Sequence, residues 1–246
     1  MMDYAICCCP GQRPYNEDRV GALAEQMDRG TFVLADGLGG HGMGDIASSL
    51  AVECALNCAK KGEDTGNVLL CECFEKSQNT ILEKQKELHA EQKMKTTMVI
   101  LRIEKTRAFF GHIGDSRLYH FTSHGWKRLT LDHSVPQLLV ATGEITEGEI
   151  RNHPDRNKLL RVLGVEWETP RYTISPKPAA IKRGDGFLLC SDGFWEYLLE
   201  DEMLNLFKKG PDAQTWLNRM KELVEKRGKD AKENADNFSA IAIRIV

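Results

Sequence analysis

The chain has 246 residues, 41% hydrophobic and 28% charged, with a formal net charge of -3. That is enough apolar material for one substantial core, and with only 8 prolines and no Pro/Ser-rich linker, residues 1–246 are expected to form a single domain. A pI near 6.2 leaves no basic field for nucleic acid. No apolar run reaches the ~20 residues that cross a bilayer, and the first residues lack a signal peptide's basic and apolar regions, so a cytoplasmic protein with no membrane partner is expected.

Tyr4 to Cys9 reads as a first strand, ended by Pro10-Gly11. Cys7, Cys8 and Cys9 then alternate between faces and cannot serve as one ligand set. Cys54, Cys58 and Cys190 fall on apolar faces and Cys71-x-Cys73 lacks a second pair, so all eight cysteines are expected to be reduced. The segment Arg13-Pro14-Tyr15-Asn16-Glu17-Asp18-Arg19 sets two acids between two arginines, which alone reads as an exposed, self-compensating loop.

Phe32 to Ala35 is too short an apolar run for a helix and reads as a buried strand. It ends in Asp36, after which five of the eight residues from Gly37 to Gly44 are glycine. Glycine permits close backbone approach and leaves the carboxylate and its neighbouring carbonyls bare, a good place to hold a cation. A strand ending in a flexible turn with a capping Asp is the competing reading of this stretch alone.

Ile46, Ala47, Leu50, Ala51, Cys54, Ala55 and Cys58 recur at helical spacing and stop at Lys60-Lys61-Gly62. A second helix is expected from about Asn67 to Gln92, with Leu70, Phe74, Ile81 and Leu88 on one face. Strands at Thr97–Ile103, Arg107–Ile113 and Leu118–Phe121 read as an antiparallel meander, with Gly114-Asp115-Ser116-Arg117 between the second and third. Leu129 to Gly164 differs: short helical pieces, Gly143 as a cap and a Thr146-x-x-Glu149 capping box suggest an insertion on the main body. Phe187–Cys190 is a buried strand running into Ser191-Asp192-Gly193, a repeat of the Asp36-Gly37 design. Two late helices around Leu204–Phe207 and Trp216–Val224, a polar loop over Lys226–Asn234 and a last strand from Phe238 to Val246 complete the chain.

Asp36, Asp115, Asp192 and Asp236 thus all sit at strand ends, three of them beside glycine, with Glu17-Asp18 following another strand. Acids converging at one sheet edge repel unless cations neutralise them. An all-oxygen donor set suits Mg²⁺ or Mn²⁺ and not zinc, and paired hard cations suit hydrolysis of a phosphate ester.

The motifs Arg13-x-x-Asn16-Glu17-Asp18, Asp36-Gly37-x-Gly39-Gly40-His41, Gly114-Asp115-Ser116-Arg117, Ser191-Asp192-Gly193 and Asp236-Asn237 follow in an order that resembles the metal-dependent serine/threonine protein phosphatases of the type 2C (PPM) family, in their bacterial form. The resemblance implies an α+β fold, a four-layer α-β-β-α sandwich of two antiparallel sheets flanked by helices. It implies two tightly bound Mn²⁺ or Mg²⁺ ions, with Asp36 bridging them, the Gly37 carbonyl on the first, and Asp192 and Asp236 completing the second. Glu17 and Asp18 would hold metal-bound waters, Arg13 would grip the substrate phosphate, and Asp115 with Asp192 would hold a third, weaker metal. Leu131–Leu163 would be a mobile flap beside the site.

The implied reaction is in-line attack on phosphorus by a water bridging the two metals, with no phosphoenzyme and no nucleophilic cysteine. A phosphorylated protein substrate, a cognate Ser/Thr kinase and a monomeric state accompany it. One departure stands out: where animal members carry a proposed general acid after the Asp-Gly pair, this chain has Leu38, and His41 further on is either that acid or a structural residue of the turn. A catalytically silent phosphoprotein-binding module and a hydrolase of small phosphate esters are the alternatives.

Overall fold

A computed structural model describes residues 1–38, 43–61, 65–90, 93–230 and 236–246. In chain order the elements are β1 (Met2–Cys9), β2 (Asp18–Gln26), β3 (Arg29–Leu38), α1 (Gly44–Lys61), α2 (Gly66–Leu88), β4 (Lys95–Thr96), β5 (Met98–Glu104), β6 (Arg107–Ile113), β7 (Arg117–Thr122), β8 (Gly125–Arg128) and α3 (Val135–Thr142). A 3-10 turn (Glu147–Asn152) precedes β9 (Thr173–Ile174), β10 (Ala179–Ala180), β11 (Gly186–Cys190), α4 (Asp192–Trp195), α5 (Glu200–Lys209), α6 (Ala213–Asp230) and β12 (Phe238–Ile245).

The strands form two antiparallel sheets. One runs β1-β12-β11-β7-β8; the other runs β10-β6-β5-β3-β2, with β4 added to β3 and β9 to β6. Alternation along each strand sorts side chains between layers. On β3, Phe32 and Leu34 enter the core between the sheets, whereas Val33 and Ala35 face the helices. On β11 and β12, Phe187, Leu189, Ile241 and Ile243 point inward to meet them, while Leu188, Cys190, Ala240 and Ala242 face the opposite helical layer. α1 and α2 cover the second sheet, and α4, α5 and α6 pack on the first, with Trp216, Met220 and Val224 of α6 at helical spacing on its buried face. This is the expected α-β-β-α sandwich. Leu34 is wholly buried at its centre, where truncation to Ala would cost about 2–5 kcal/mol.

Four local expectations are corrected. β5 and β6 form a hairpin, but β7 pairs with β11 and β8 in the other sheet, so the three strands are not a meander. The switch occurs at Gly114, whose φ of +97 and tight contact with Thr97 exclude a side chain; an added Cβ would lie 2.5 Å from Thr97 Cγ2. The Arg13–Arg19 segment is not wholly an exposed loop, because Asp18 begins β2 and is fully buried. α2 ends at Leu88, where His89 adopts a left-handed conformation and its N–H caps the last turn; residues 91 and 92 lie outside the described residues. Lys226 to Asp230 is helical rather than loop, since Gly228 is buried four residues after Val224 and Arg227 pairs with Glu202; residues 231–235 lie outside the described set.

All eight cysteines are free, as expected. No helix among the described residues is long and apolar enough to cross a membrane.

Candidate active site

The expected site residues come together at one edge of the sandwich. The register of β2 and β3 sets Asp18 directly opposite Asp36. In the facing sheet, β11 ends at Cys190, Ser191 turns the chain and Asp192 opens α4. Asp236 lies two residues before β12, the neighbour of β11, and Asp115 lies in the crossover between the sheets. Asp18 and Asp115 are buried, Asp36 and Asp192 are half-buried, and Asp236 is exposed.

Two glycines allow this approach. A Cβ on Gly37 would lie 2.3 Å from Gly44 O and 2.6 Å from Glu17 O; one on Gly193 would lie 2.1 Å from Asn237 O. Each Asp-Gly pair therefore places a carboxylate at a strand end and lets another backbone segment press against the next residue.

Asn237 ties the loop before β2 onto this edge. Its Oδ1 accepts from Glu17 N (2.8 Å), and its Nδ2 donates to Pro10 O and Tyr15 O (both 2.9 Å). Asn16 Oδ1 accepts from Asp18 N (3.1 Å), and Ser191 Oγ donates to Asp18 Oδ2 (2.9 Å). These contacts present Arg13 at the rim, where its Nη2 meets Asp236 Oδ2 at 2.9 Å. Asp36 is held through its backbone: Thr97 N and Thr96 Oγ1 both donate to its carbonyl at 2.8 Å, and its N–H donates to Thr97 Oγ1 at 3.0 Å.

The electrostatics report an excess of negative charge. Burial, and then the charges of Asp18, Asp192, Asp115 and Asp236, push the Asp36 carboxyl well above the usual carboxylate range. Burial and then Asp192 do the same to Asp115, and burial and then Asp236 raise Asp192. Asp18 is pushed up to about 7, mainly by burial, with Asp192 and Asp236 adding. Glu17 is raised chiefly by burial. Glu196, beside Asp192, is pushed up to about 7 by burial and by that neighbour, although Arg156 lies 3.1 Å away.

Such a cluster fits hard cations. The donors are all oxygen, and Asp18 Oδ1 is buried with no protein partner. Among the described residues no three acids are drawn tightly around one point, so the fit is one of donor type, burial and unneutralised charge rather than of a closed cage.

The Leu131–Leu163 segment lies beside the site and is tied to it from below. Arg117 forms a bidentate pair with Asp132 (3.0 and 2.6 Å) and lies 3.4 Å above the Trp195 ring, while Trp195 Nε1 donates to Asp115 O at 3.1 Å. Farther along, Ile150 is buried and Arg151 donates to Trp195 O (3.2 Å), Leu198 O (3.0 Å) and Glu200 (2.8 Å). The sequence reading named Asn237, Ser191 and Arg117 only as motif members and missed the contacts they make, and it had no signal for Glu196, Asp132 or Trp195. Leu38 ends β3 opposite Lys95, and His41 lies outside the described residues.

Comparison with known proteins agrees with this geometry. The chain is 36% identical over 204 residues to "Serine/threonine phosphatase stp" of Listeria monocytogenes, covering 80% of this chain and 79% of that protein. The crystal structure of the Mycobacterium tuberculosis serine/threonine phosphatase PstP/Ppp superposes with a TM-score of 0.85 at 28% identity, covering 99% of this chain and 98% of that one. The catalytic domain of the phosphatase PstP in complex with 2 manganese ions gives a TM-score of 0.83 at 27% identity, covering 100% and 98%. A family profile described as protein phosphatase 2C matches residues 12–234, and the chain belongs to that family.

Proposed function

We propose that residues 1–246 form a single catalytic domain, a metal-dependent protein phosphatase that hydrolyses phosphoserine and phosphothreonine in proteins. The observation that carries this is the convergence of Asp18, Asp36, Asp115, Asp192 and Asp236, whose carboxyls are crowded enough to raise one another, beside a guanidinium at the rim. The names of the relatives support the substrate class.

Asp36, the Gly37 carbonyl, Asp192 and Asp236 would hold two Mn²⁺ or Mg²⁺ ions, Glu17 and Asp18 would order the surrounding water, and Asp115 with Asp192 would hold a third, weaker one. When bound, such ions supply activation of water and neutralisation of charge on phosphoryl oxygens. Arg13 orients the phosphate, its planar fork matching two phosphoryl oxygens. Ser191 holds Asp18 through Oδ2 and leaves the buried Oδ1 without a protein partner. Asn237 fixes the Arg13 loop so that the guanidinium and carboxylates face one volume. Leu38 carries no proton, so the leaving alkoxide takes its proton from ordered water or from a group other than residue 38. The cysteines have no part: burial raises Cys7 to about 12, and burial raises Cys190 as well.

A cytoplasmic monomer acting against a Ser/Thr kinase completes the proposal. The fully kept acid cluster argues against a silent binding module, which would gain stability by losing clustered acids. The test is phosphate release from a phosphoserine and phosphothreonine peptide panel with Mn²⁺, with Mg²⁺ and with chelator. Metal-dependent release is expected; tight peptide binding without release at any metal concentration contradicts the proposal.

A further inference from the structure

A cleft of about 310 Å³ opens next to the acid cluster, at the lower end of the volumes that hold a small ligand. It is continuous with the site along the chain: Gln12 lines it and precedes Arg13, Gly193 lines it and follows Asp192, and Phe238 lines it two residues after Asp236. Arg13, the proposed phosphate ligand, is therefore one residue from the cleft's wall, and Asp236, which it contacts, is two residues from another. An extended peptide advances about 3.3 Å per residue, so side chains within about three residues of the phosphorylated one can reach in.

The chemistry of the walls narrows the occupant. Pro10, Val224 and Tyr197 contribute apolar surface, and Val224 and Phe238 belong to the core beneath. Among the described residues the lining holds one acid and one base, Glu225 and Lys229, which balance each other and do not favour a charged residue. No part of this cleft is used by the acids or by Arg13 in the reaction.

We propose that this cleft seats an apolar side chain of the substrate phosphopeptide, close in sequence to the phosphorylated serine or threonine, and thereby sets substrate preference. This rests on the phosphatase reading above.

The experiment uses phosphothreonine peptides with glycine at every flanking position, and single replacements by Leu or Asp, alongside para-nitrophenyl phosphate, which is too small to reach the cleft. Wild type is compared with Cys9→Phe, which fills the cleft from β1, and with Tyr197→Ala, which removes one wall; melting curves confirm folding. In wild type one flanking position should favour Leu over Gly by about tenfold in kcat/KM, the worth of one buried apolar side chain, with no gain from Asp. Either folded variant should lower that ratio to about twofold or less while para-nitrophenyl phosphate turnover stays within about twofold of wild type. The proposal is overturned if wild type cleaves para-nitrophenyl phosphate yet shows no flanking preference, or if the preference persists in both variants. Absence of para-nitrophenyl phosphate turnover with Mn²⁺ overturns the phosphatase reading itself and the cleft with it.

Discussion

The guanidinium of Arg13 and the carboxylate of Asp236, 223 residues apart in sequence, meet with Nη2 2.9 Å from Oδ2. One is the expected phosphate ligand and the other an expected metal ligand, so the pair joins the substrate side of the site to the metal side. Both side chains are about half exposed (51% and 48%), and a pair of this kind contributes only about 0–1 kcal/mol to stability. Arg13→Ala should therefore leave the melting temperature almost unchanged. It should lower kcat/KM for phosphopeptides by about 10–100-fold, the worth of charge-assisted hydrogen bonds to phosphate. Steady-state kinetics and melting curves on the same preparation check both halves.

The acid cluster predicts an unusual pH dependence of the metal-free protein. Asp18 rises from 3.8 to about 7 on folding, and Asp36, Asp115 and Asp192 shift the same way. Across that window the native state binds more protons than the unfolded chain, so these groups make stability fall as pH rises from about 4 to about 7. Asp18→Asn should flatten part of that slope, and Mn²⁺ should raise the melting temperature most at the upper end. Melts of chelated and Mn²⁺-treated protein at intervals across this range are the measurement; parallel curves for wild type and Asp18→Asn would contradict the assignment.

Gly193→Ala should be severe although only a methyl is added. The new Cβ would sit 2.1 Å from Asn237 O, so the strand end or α4 must shift. A loss of about 3 kcal/mol is expected, a melting temperature lower by roughly 6–12 °C, together with most of the turnover. Gly125→Ala, with nothing near its added Cβ, is the control and should change neither.

What the sequence disclosed and what it hid have physical reasons. The buried strands that carry Asp36 and lead to Asp192 were legible because an apolar run broken by Asp-Gly leaves few other readings. β2 was not, because its helix-facing side reads Arg19, Gly21, Leu23; at Gly21 a Cβ would meet Leu56 Cδ1 at 2.6 Å and Val52 Cγ1 at 2.7 Å, so α1 packs on bare backbone there and the apolar alternation is broken. The switch of β7 to the other sheet was hidden since periodicity identifies a strand but not its partner. The last turn of α6 was masked by charge, its burial resting on Gly228 alone. The convergence of the acids was expected from motif order, whereas Asn237's three hydrogen bonds depend on a fold that brings residues 10–17 to the start of β12.

Leu38, half-buried at the end of β3, offers no proton to a departing alkoxide. The rate should accordingly depend more steeply on leaving-group pKa in wild type than in Leu38→His. A series of aryl and alkyl phosphates assayed on both proteins gives the two slopes; equal slopes would remove any acid role from position 38.

The central claim, that the acid cluster is a catalytic metal centre, is tested most directly at Asp192. Asp192→Asn keeps the shape of the side chain and removes a charge that offsets a divalent cation. Mn²⁺ titration by calorimetry, run beside phosphothreonine-peptide turnover and chelated melting curves, should show weakened metal binding. Turnover should fall on the order of 10²-fold or more, and the metal-free protein should be no less stable than wild type. Wild-type Mn²⁺ affinity together with undiminished turnover in Asp192→Asn would contradict the account.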